Sequence, residues 1–328
     1  MAQGEGSRFT VTLALVANAG VGVLKLIAGL LSGSPALLSE AAHSTADTST
    51  ELLLLTALRR STRPADEIHP FGYGKERYFW SLLAAFAIFV SGAAFSFYEG
   101  VHTLVADAGS TDRLWLNYPV LALAFVFEGT SLRQAVLQTR GEAHRRRRPV
   151  RAVMRDPHDP TVRSVVLEDS AALIGIVTAG VGVALHEITG SGVWDGTASL
   201  VIGALLVVAA VLLAQTCQGL LIGKQVDARL MRRIEKRIEE QDEVDDVVDM
   251  LTMLTGVERI LLCVRVDFLD GFSVTDLERA CVRIDGLLRK EFTALDEIFI
   301  QPAPKWDPRI QQRVEARYGH QLTDRHPD

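Results

Sequence analysis

Apolar residues fall into six long blocks, over about 9–31, 36–58, 78–104, 114–138, 163–186 and 194–221. Each has the roughly 20 residues that an α-helix needs to cross the hydrocarbon core of a bilayer. The pattern therefore predicts an all-α, six-helix transmembrane domain over 1–222. After residue 222 the blocks give way to short amphipathic pieces. DARLMRRIEKRIEEQ (227–241) repeats its apolar positions with helical period, while VDDVVDMLTMLTG (244–256) and VERILLCVRVDFL (257–269) read as strands about a turn at Thr255 and Gly256. SVTDLERACVRIDGLLRKEF (273–292) is an amphipathic helix that Ser273 can cap, and LDEIFIQPAP (295–304) is a last strand stopped by prolines. The order αββαβ predicts a small α+β sheet domain over 223–306. A polar tail, 307–328, is expected to be loosely ordered.

The second block is the unusual one, because it carries Glu40, His43, Asp47 and Glu51. Ionisable groups at membrane depth are costly and mark ion or substrate paths. Their intervals of 3, 4 and 4 residues put all four on one face of a helix. His43 and Asp47, one turn apart, can reach a single divalent cation, and imidazole with carboxylate suits Zn²⁺ and its first-row neighbours. The competing reading is a polar seam that only holds helices together, but hydroxyls or amides would do that with less desolvation. Block five adds Glu168 and Asp169 in LEDSAALIG. At 1.5 Å per residue, Asp169 lies about 10 Å and Asp47 about 18 Å from the same membrane face, so one site shared between blocks two and five is geometrically reasonable. Lys25 and Glu40 fall at similar depth, which predicts an ion pair and a structural role for Glu40. Glu128 and Arg133 in block four are also read as structural. The glycines at 20, 22 and 29 and at 175, 180 and 182 allow close helix contact.

Composition dilutes this apolar picture: 48% of residues are hydrophobic, mean hydropathy is +0.19, and the net charge is −6. The basic residues nevertheless cluster, at Arg59, Arg60, Arg63, Lys75 and Arg77 and again at Arg140, Arg145 to Arg148, Arg151, Arg155 and Arg163; the connection after block three has only Arg113. The positive-inside rule makes the two basic connections, and with them both termini, cytoplasmic. Beside membrane spans, the run Arg145 to Arg148 points to topology and lipid headgroups rather than nucleic acid. Cys217, Cys263 and Cys281 form no CxxC pair and are expected as buried, reduced thiols. The first apolar block lacks a small-residue cleavage site and is expected to stay as a transmembrane helix.

Six blocks, the HxxxD of His43 to Asp47, the loop ADEIHPFGYGKERYFW at 65–80 and the C-terminal αββαβ pattern together resemble the cation diffusion facilitator family of metal–proton antiporters. The resemblance covers nearly the whole chain. It implies a homodimer, a ferredoxin-like cytoplasmic domain, and export of zinc or a similar divalent ion in exchange for protons. It also implies a transport site of four ligands, two from span two and two from span five. His43 and Asp47 match the first pair and Asp169 the last position; Val165 stands at the remaining position and cannot ligate, so Glu168 or water would complete the set. The LEDSAA run is similar to a divergent branch of the family. Asp66 and His69 match two ligands of an accessory cytoplasmic site, where Tyr73 replaces a third, so a weak site competes with a purely structural loop. The strand IFIQPAP lacks the histidines that some members use to bridge a metal pair, which implies a mainly dimerising domain.

The mechanism so implied is alternating access. A divalent ion displaces protons from His43 and the carboxylates, and protons admitted from the other side expel it. No resident cofactor is expected, since the metal is cargo. Zn²⁺ leads, with Mn²⁺, Fe²⁺, Co²⁺ and Ni²⁺ behind it. A bacterial inner membrane is the expected location. An intramembrane metalloenzyme would need a general base beside the metal, and no HExxH is present. A non-transporting metal sensor or scaffold remains the other alternative.

Overall fold

The computed structural model describes residues 2–106, 114–145, 160–257 and 259–318. The basic side chains named above at 113, 145–148, 151, 155 and 163 lie outside the described residues, as does the Val165 side chain. The chain divides into two compact units, one of residues 1–63 and 76–221, the other of 64–75 and 222–328.

The first unit is helical. It holds α1 (Ala2–Ser32), α2 (Pro35–Ser61), α3 (Glu76–Ala87), α4 (Phe95–Ala106), α5 (Asn117–Arg145), α6 (Pro160–Thr189) and α7 (Val193–Ile222). A π-helical turn, Ile88–Ala94, makes α3 and α4 one continuous rod. Local chemistry sets the breaks. Gly33 adopts φ 65°, a conformation glycine reaches without strain, and Ser34 then caps α2 by accepting from the Leu37 amide at 3.3 Å, with Pro35 opening the helix. At the end of α6, Gly190 has φ 68° and donates to the His186 carbonyl at 2.8 Å, a glycine C-terminal stop.

Four segments are long and apolar enough to cross a membrane: Glu76–Val105, Leu114–Gly141, Val166–Thr189 and Val193–Ile222. The stretch Asn18–Ser32 of α1 is apolar but shorter. Helix α2 has the length, 27 residues, but its polar face lowers its hydropathy. That same helix is the most enclosed, packing against α1, α3, the π turn, α4 and α6. Small residues permit the approach: Ala36, Ala46, Ala93, Ala124, Ala179 and Ala198 all belong to the buried cluster. Leu206 of α7 fills the space beside Gly92 of the π turn, whose Cα also faces Ala46, the neighbour of Asp47.

In the second unit, β1 (Val244–Gly256) pairs antiparallel with β2 (Arg259–Phe268), which pairs parallel with β3 (Leu295–Pro302). The parallel pair is joined by α9 (Val274–Glu291), and α8 (Ala228–Glu239) packs on β1. Ser273 and Asp276 form the capping box of α9, as the cap position predicts. The strand period of two appears directly in β2, where Ile260, Leu262, Val264 and Val266 are buried in alternation. Ala280, Ile284 and Leu288, spaced four apart on α9, and Ile234 and Ile238 of α8 are buried as well. Each such Leu or Ile contributes about 1.5–3 kcal/mol on burial. One expectation is corrected. The tail begins as a helix, α10 (Pro308–Tyr318), rather than as loose chain: Val314 is buried, and Arg317 pairs with Asp249 at 2.9 Å. Residues 319–328 of that tail lie outside the described residues.

Residues 64–75 belong to this second unit and pack on the β1–β2 turn. A Cβ on Gly74 would meet the Thr255 carbonyl and stand 2.8 Å from the Gly256 Cα, both rigid backbone. Gly74→Ala is therefore expected to cost about 1–3 kcal/mol locally. The check is amide hydrogen exchange, which should quicken in 64–75 and around 253–260 while the helical unit keeps its rates.

Candidate metal centre

The polar face of α2 is mostly spoken for. Lys25 of α1 is fully buried, its Nζ 3.0 Å from Glu40 Oε2 and 2.9 Å from Ser44 Oγ, so the expected ion pair is present. The other oxygen of Glu40 occupies the place where a Cβ on Gly175 of α6 would stand, which accounts for a glycine there. One turn past Asp47, Glu51 Oε1 accepts from Asn18 Nδ2 at 2.6 Å. Glu40 and Glu51 are thus each tied to α1.

His43 and Asp47 are left between them. His43 Nε2 lies 3.3 Å from Asp47 Oδ2, and His43 is only 3% exposed. Both ring nitrogens of His43 and Oδ1 of Asp47 are buried without a hydrogen-bond partner. Each such group costs about 1–3 kcal/mol when nothing satisfies it, so a cluster of them marks a place where the molecule needs free donor atoms.

Across the α2–α6 contact, Asp169 is held from α5: its Oδ2 accepts from Ser131 Oγ at 2.9 Å. The neighbouring Glu168 has its Oε1 buried and without a hydrogen-bond partner. The charge of Asp169 acts on both His43 and Asp47, and the charges of Asp47, Asp169 and Glu51 act on Glu168. Glu128 of α5 also lies within electrostatic reach of His43 and Asp47. One imidazole and several carboxylates therefore border one region between α2, α5 and α6. Among the described residues, no three His, Cys, Asp or Glu side chains converge closely enough to close around an ion. His43 and Asp47 on α2 and Glu168 and Asp169 on α6 border this region without converging on one point. Ser131 and Asn18, which fix two of the carboxylates, were not legible in the sequence: Ser131 lies among Glu128, Thr130, Arg133 and Gln134, and Asn18 is one polar residue in an apolar run.

The second expected location, the loop of Asp66 and His69, is exposed and organised differently. Asp66 Oδ2 accepts from the Tyr73 hydroxyl at 2.6 Å, and Oδ1 accepts from the backbone amides of His69 at 2.7 Å and Ile68 at 3.0 Å. The hydroxyl and the amides together hold the Asp66 carboxyl below the usual carboxylate range. The His69 ring sits 4.3 Å from that of Tyr73, with Nδ1 3.5 Å from Asp66 Oδ1. Both carboxylate oxygens thus serve the turn itself. Cys217, Cys263 and Cys281 are free thiols, with only Cys217 buried.

Comparison with known proteins bears on the chain as a whole. The profile of the cation efflux transmembrane domain matches residues 11–221. Over 271 residues the chain is 31% identical to the mitochondrial proton-coupled zinc antiporter SLC30A9 of Homo sapiens, covering 83% of this chain and 47% of that protein. It is 33% identical over 232 residues to metal tolerance protein C4 of Arabidopsis thaliana, 71% of this chain and 50% of that one. A further relative is the magnetosome protein MamB of Magnetospira sp. (strain QH-2), 32% identical over 172 residues, half of this chain and 53% of MamB. The chain thus spans about half the length of the curated relatives it matches. With its helical unit matched nearly end to end, the chain belongs to the cation efflux, or cation diffusion facilitator, family.

Proposed function

We propose that this chain carries a divalent metal cation across a membrane in exchange for protons, with Zn²⁺ as the first candidate. The observation that carries the reading is the set of buried donor atoms of His43 and Asp47 left without hydrogen-bond partners, facing the α6 carboxylates. Ion-free, those atoms are proton acceptors; ion-bound, they are ligands, so the two cargoes compete for one place. Asp169 joins His43 and Asp47 as the third ligand. With Val165 at the position the family fills with a ligand, Glu168 or water takes the fourth place. A tetrahedral zinc with three protein ligands and one open position is chemically sound. The separation of the α2 pair from the α6 pair suits an alternating-access cycle in which the two helices close on the ion.

The finer topology belongs to the same reading. Helices α1 and α2 join the four apolar segments to make six spans, and the basic connections favour a cytoplasmic side for both termini. The C-terminal sheet is a ferredoxin-like module through which two copies dimerise, and the membrane is a bacterial inner membrane. The name of one relative, a zinc antiporter, supports zinc over Mn²⁺, Fe²⁺, Co²⁺ and Ni²⁺. The accessory ligands Asp66 and His69 have a minor part at most, because the Asp66 oxygens already serve the loop.

The test is proton flux in proteoliposomes driven by gradients of Zn²⁺, Mn²⁺, Fe²⁺, Co²⁺ and Ni²⁺ in turn. Flux with at least one ion in wild type and none in Asp47→Ala is the expected result. Flux unchanged in Asp47→Ala contradicts the proposed site. Binding without flux for every ion makes the chain a sensor or scaffold. Ser131→Ala leaves every ligand in place but frees the Asp169 carboxylate; it is expected to weaken divalent-ion affinity about 10- to 100-fold. Titration calorimetry on folded variant and wild type reads that difference.

A further inference from the structure

A second group of buried ionisable side chains lies away from the candidate metal centre. His186, near the end of α6, and Asp195, in the first turn of α7, are 3% and 0% exposed. His186 Nδ1 stands 3.8 Å from Asp195 Oδ2, beyond hydrogen-bond distance, and neither atom has another partner. The other oxygen of Asp195 is fully engaged. It accepts from Ser34 Oγ at 3.1 Å and from the Ala36 amide at 3.3 Å, both at the start of α2. Along α2, Ser34 to His43 is nine residues, about 13 Å of helix, so this is a place distinct from the metal centre.

Two features make this more than a helix cap. Both donors converge on Oδ1, so the second carboxyl oxygen of Asp195 is left buried and unserved. The atom facing that oxygen is an imidazole nitrogen, a side chain that takes up a proton near neutral pH. Two unprotonated acceptors face each other unfavourably across such a gap. A proton on Nδ1 converts the contact into a charge-assisted N–H···O bond, which ordinarily closes to about 2.7–2.9 Å.

The surroundings hold few competing charges. Gly182 of α6 lies against Trp194, Asp195 and Ala198, and Gly196 of α7 lies against Thr103 and Gly100 of α4. On these elements the other ionisable residues near this end are Glu187 of α6, which accepts from the Tyr118 hydroxyl at 2.6 Å, and Glu99 and His102 of α4, the first half-buried and the second exposed and stacked on Tyr98. Lys25 of α1 is paired with Glu40, and the first turn of α2 carries no acidic residue.

We propose that His186 and Asp195 form a proton-binding site of their own: a proton from solvent binds His186 Nδ1, is shared with Asp195 Oδ2, and ties the ends of α6 and α7 to the start of α2. The ligand is the proton alone, and no other co-reactant is consumed. The site holds whichever metal ion the chain carries, and whether or not it carries one.

The experiment is ¹⁵N nuclear magnetic resonance of histidine-labelled full-length protein in lipid nanodiscs, with the His186 ring signals assigned by their loss in His186→Gln. In wild type the Nδ1 signal should move from an unprotonated to a protonated position as the pH is lowered. In Asp195→Asn that movement should be lost. The Asp195→Asn variant keeps an acceptor for Ser34 and the Ala36 amide, so an unchanged unfolding midpoint separates loss of the couple from loss of fold. An Nδ1 signal that does not respond to pH in wild type, or that moves identically in Asp195→Asn, overturns the proposal. So does a shift produced by Zn²⁺ at fixed pH in a His43→Ala background, which would make the couple a pair of metal ligands.

Discussion

Lys25→Met is expected to destabilise the helical unit by about 3–5 kcal/mol, the usual cost of removing one partner from a buried ion pair. The reason is the environment of the partner rather than the strength of the bond. Glu40 is fully buried, with one oxygen on Lys25 and the other pressed toward Gly175, so without the ammonium its charge has no solvent to turn to. Ser44 loses a donor at the same time. The double variant Lys25→Met with Glu40→Met removes both charges and should recover most of the loss, because an apolar pair of similar volume replaces a dry salt bridge at little cost. Thermal or denaturant unfolding in detergent, followed through the helical signal, checks both. A single variant as stable as wild type would mean that water reaches the pair.

Asp169→Asn is expected to lower divalent-ion affinity by about a hundredfold or more, exceeding the effect of losing the Ser131 contact that merely orients the carboxylate. The amide keeps the volume and can still accept from Ser131, so the fold should stand. What disappears is one negative member of the proposed ligand set, and with it the charge that acts across the α2–α6 contact on His43 and Asp47. Titration calorimetry with Zn²⁺ gives the affinity, and an unchanged unfolding midpoint shows that the loss is local. Glu168→Gln should weaken binding less if water supplies the fourth ligand and comparably if Glu168 does.

Much of this site was legible in the sequence because its signal is chemical cost. A carboxylate or an imidazole inside an apolar block is rare enough to be informative alone, so His43, Asp47, Glu168 and Asp169 stood out, and helical rise was sufficient to pair Lys25 with Glu40. The groups that position those residues were not legible. Asn18 and Ser131 are cheap in an apolar helix, and only the three-dimensional packing shows that they hold Glu51 and Asp169. His186 and Asp195 were hidden for another reason: each sits near a helix end, where polar residues are ordinary, and their burial depends on α2, α6 and α7 meeting there.

The same contrast runs through the fold. Strand period and the Ser273 cap position located β1 to β3 and α9 to within a few residues. The π turn at Ile88–Ala94 has no sequence mark, since it accommodates packing against Leu206 and Ala46 rather than any local preference. Helix α10 was missed because its polarity reads as solvated chain, whereas Val314 and Arg317 anchor it through contacts to the sheet unit.

The central claim is that one imidazole and a set of carboxylates inside the helical unit hold the transported ion. X-ray absorption at the metal edge, on full-length protein loaded with one equivalent of Zn²⁺, tests it most directly. The expected first shell contains one imidazole nitrogen and otherwise oxygen, at about 2.0–2.2 Å, without sulfur. In His43→Ala the imidazole contribution should vanish. Sulfur in the shell, or an imidazole signal that survives His43→Ala, would contradict the account.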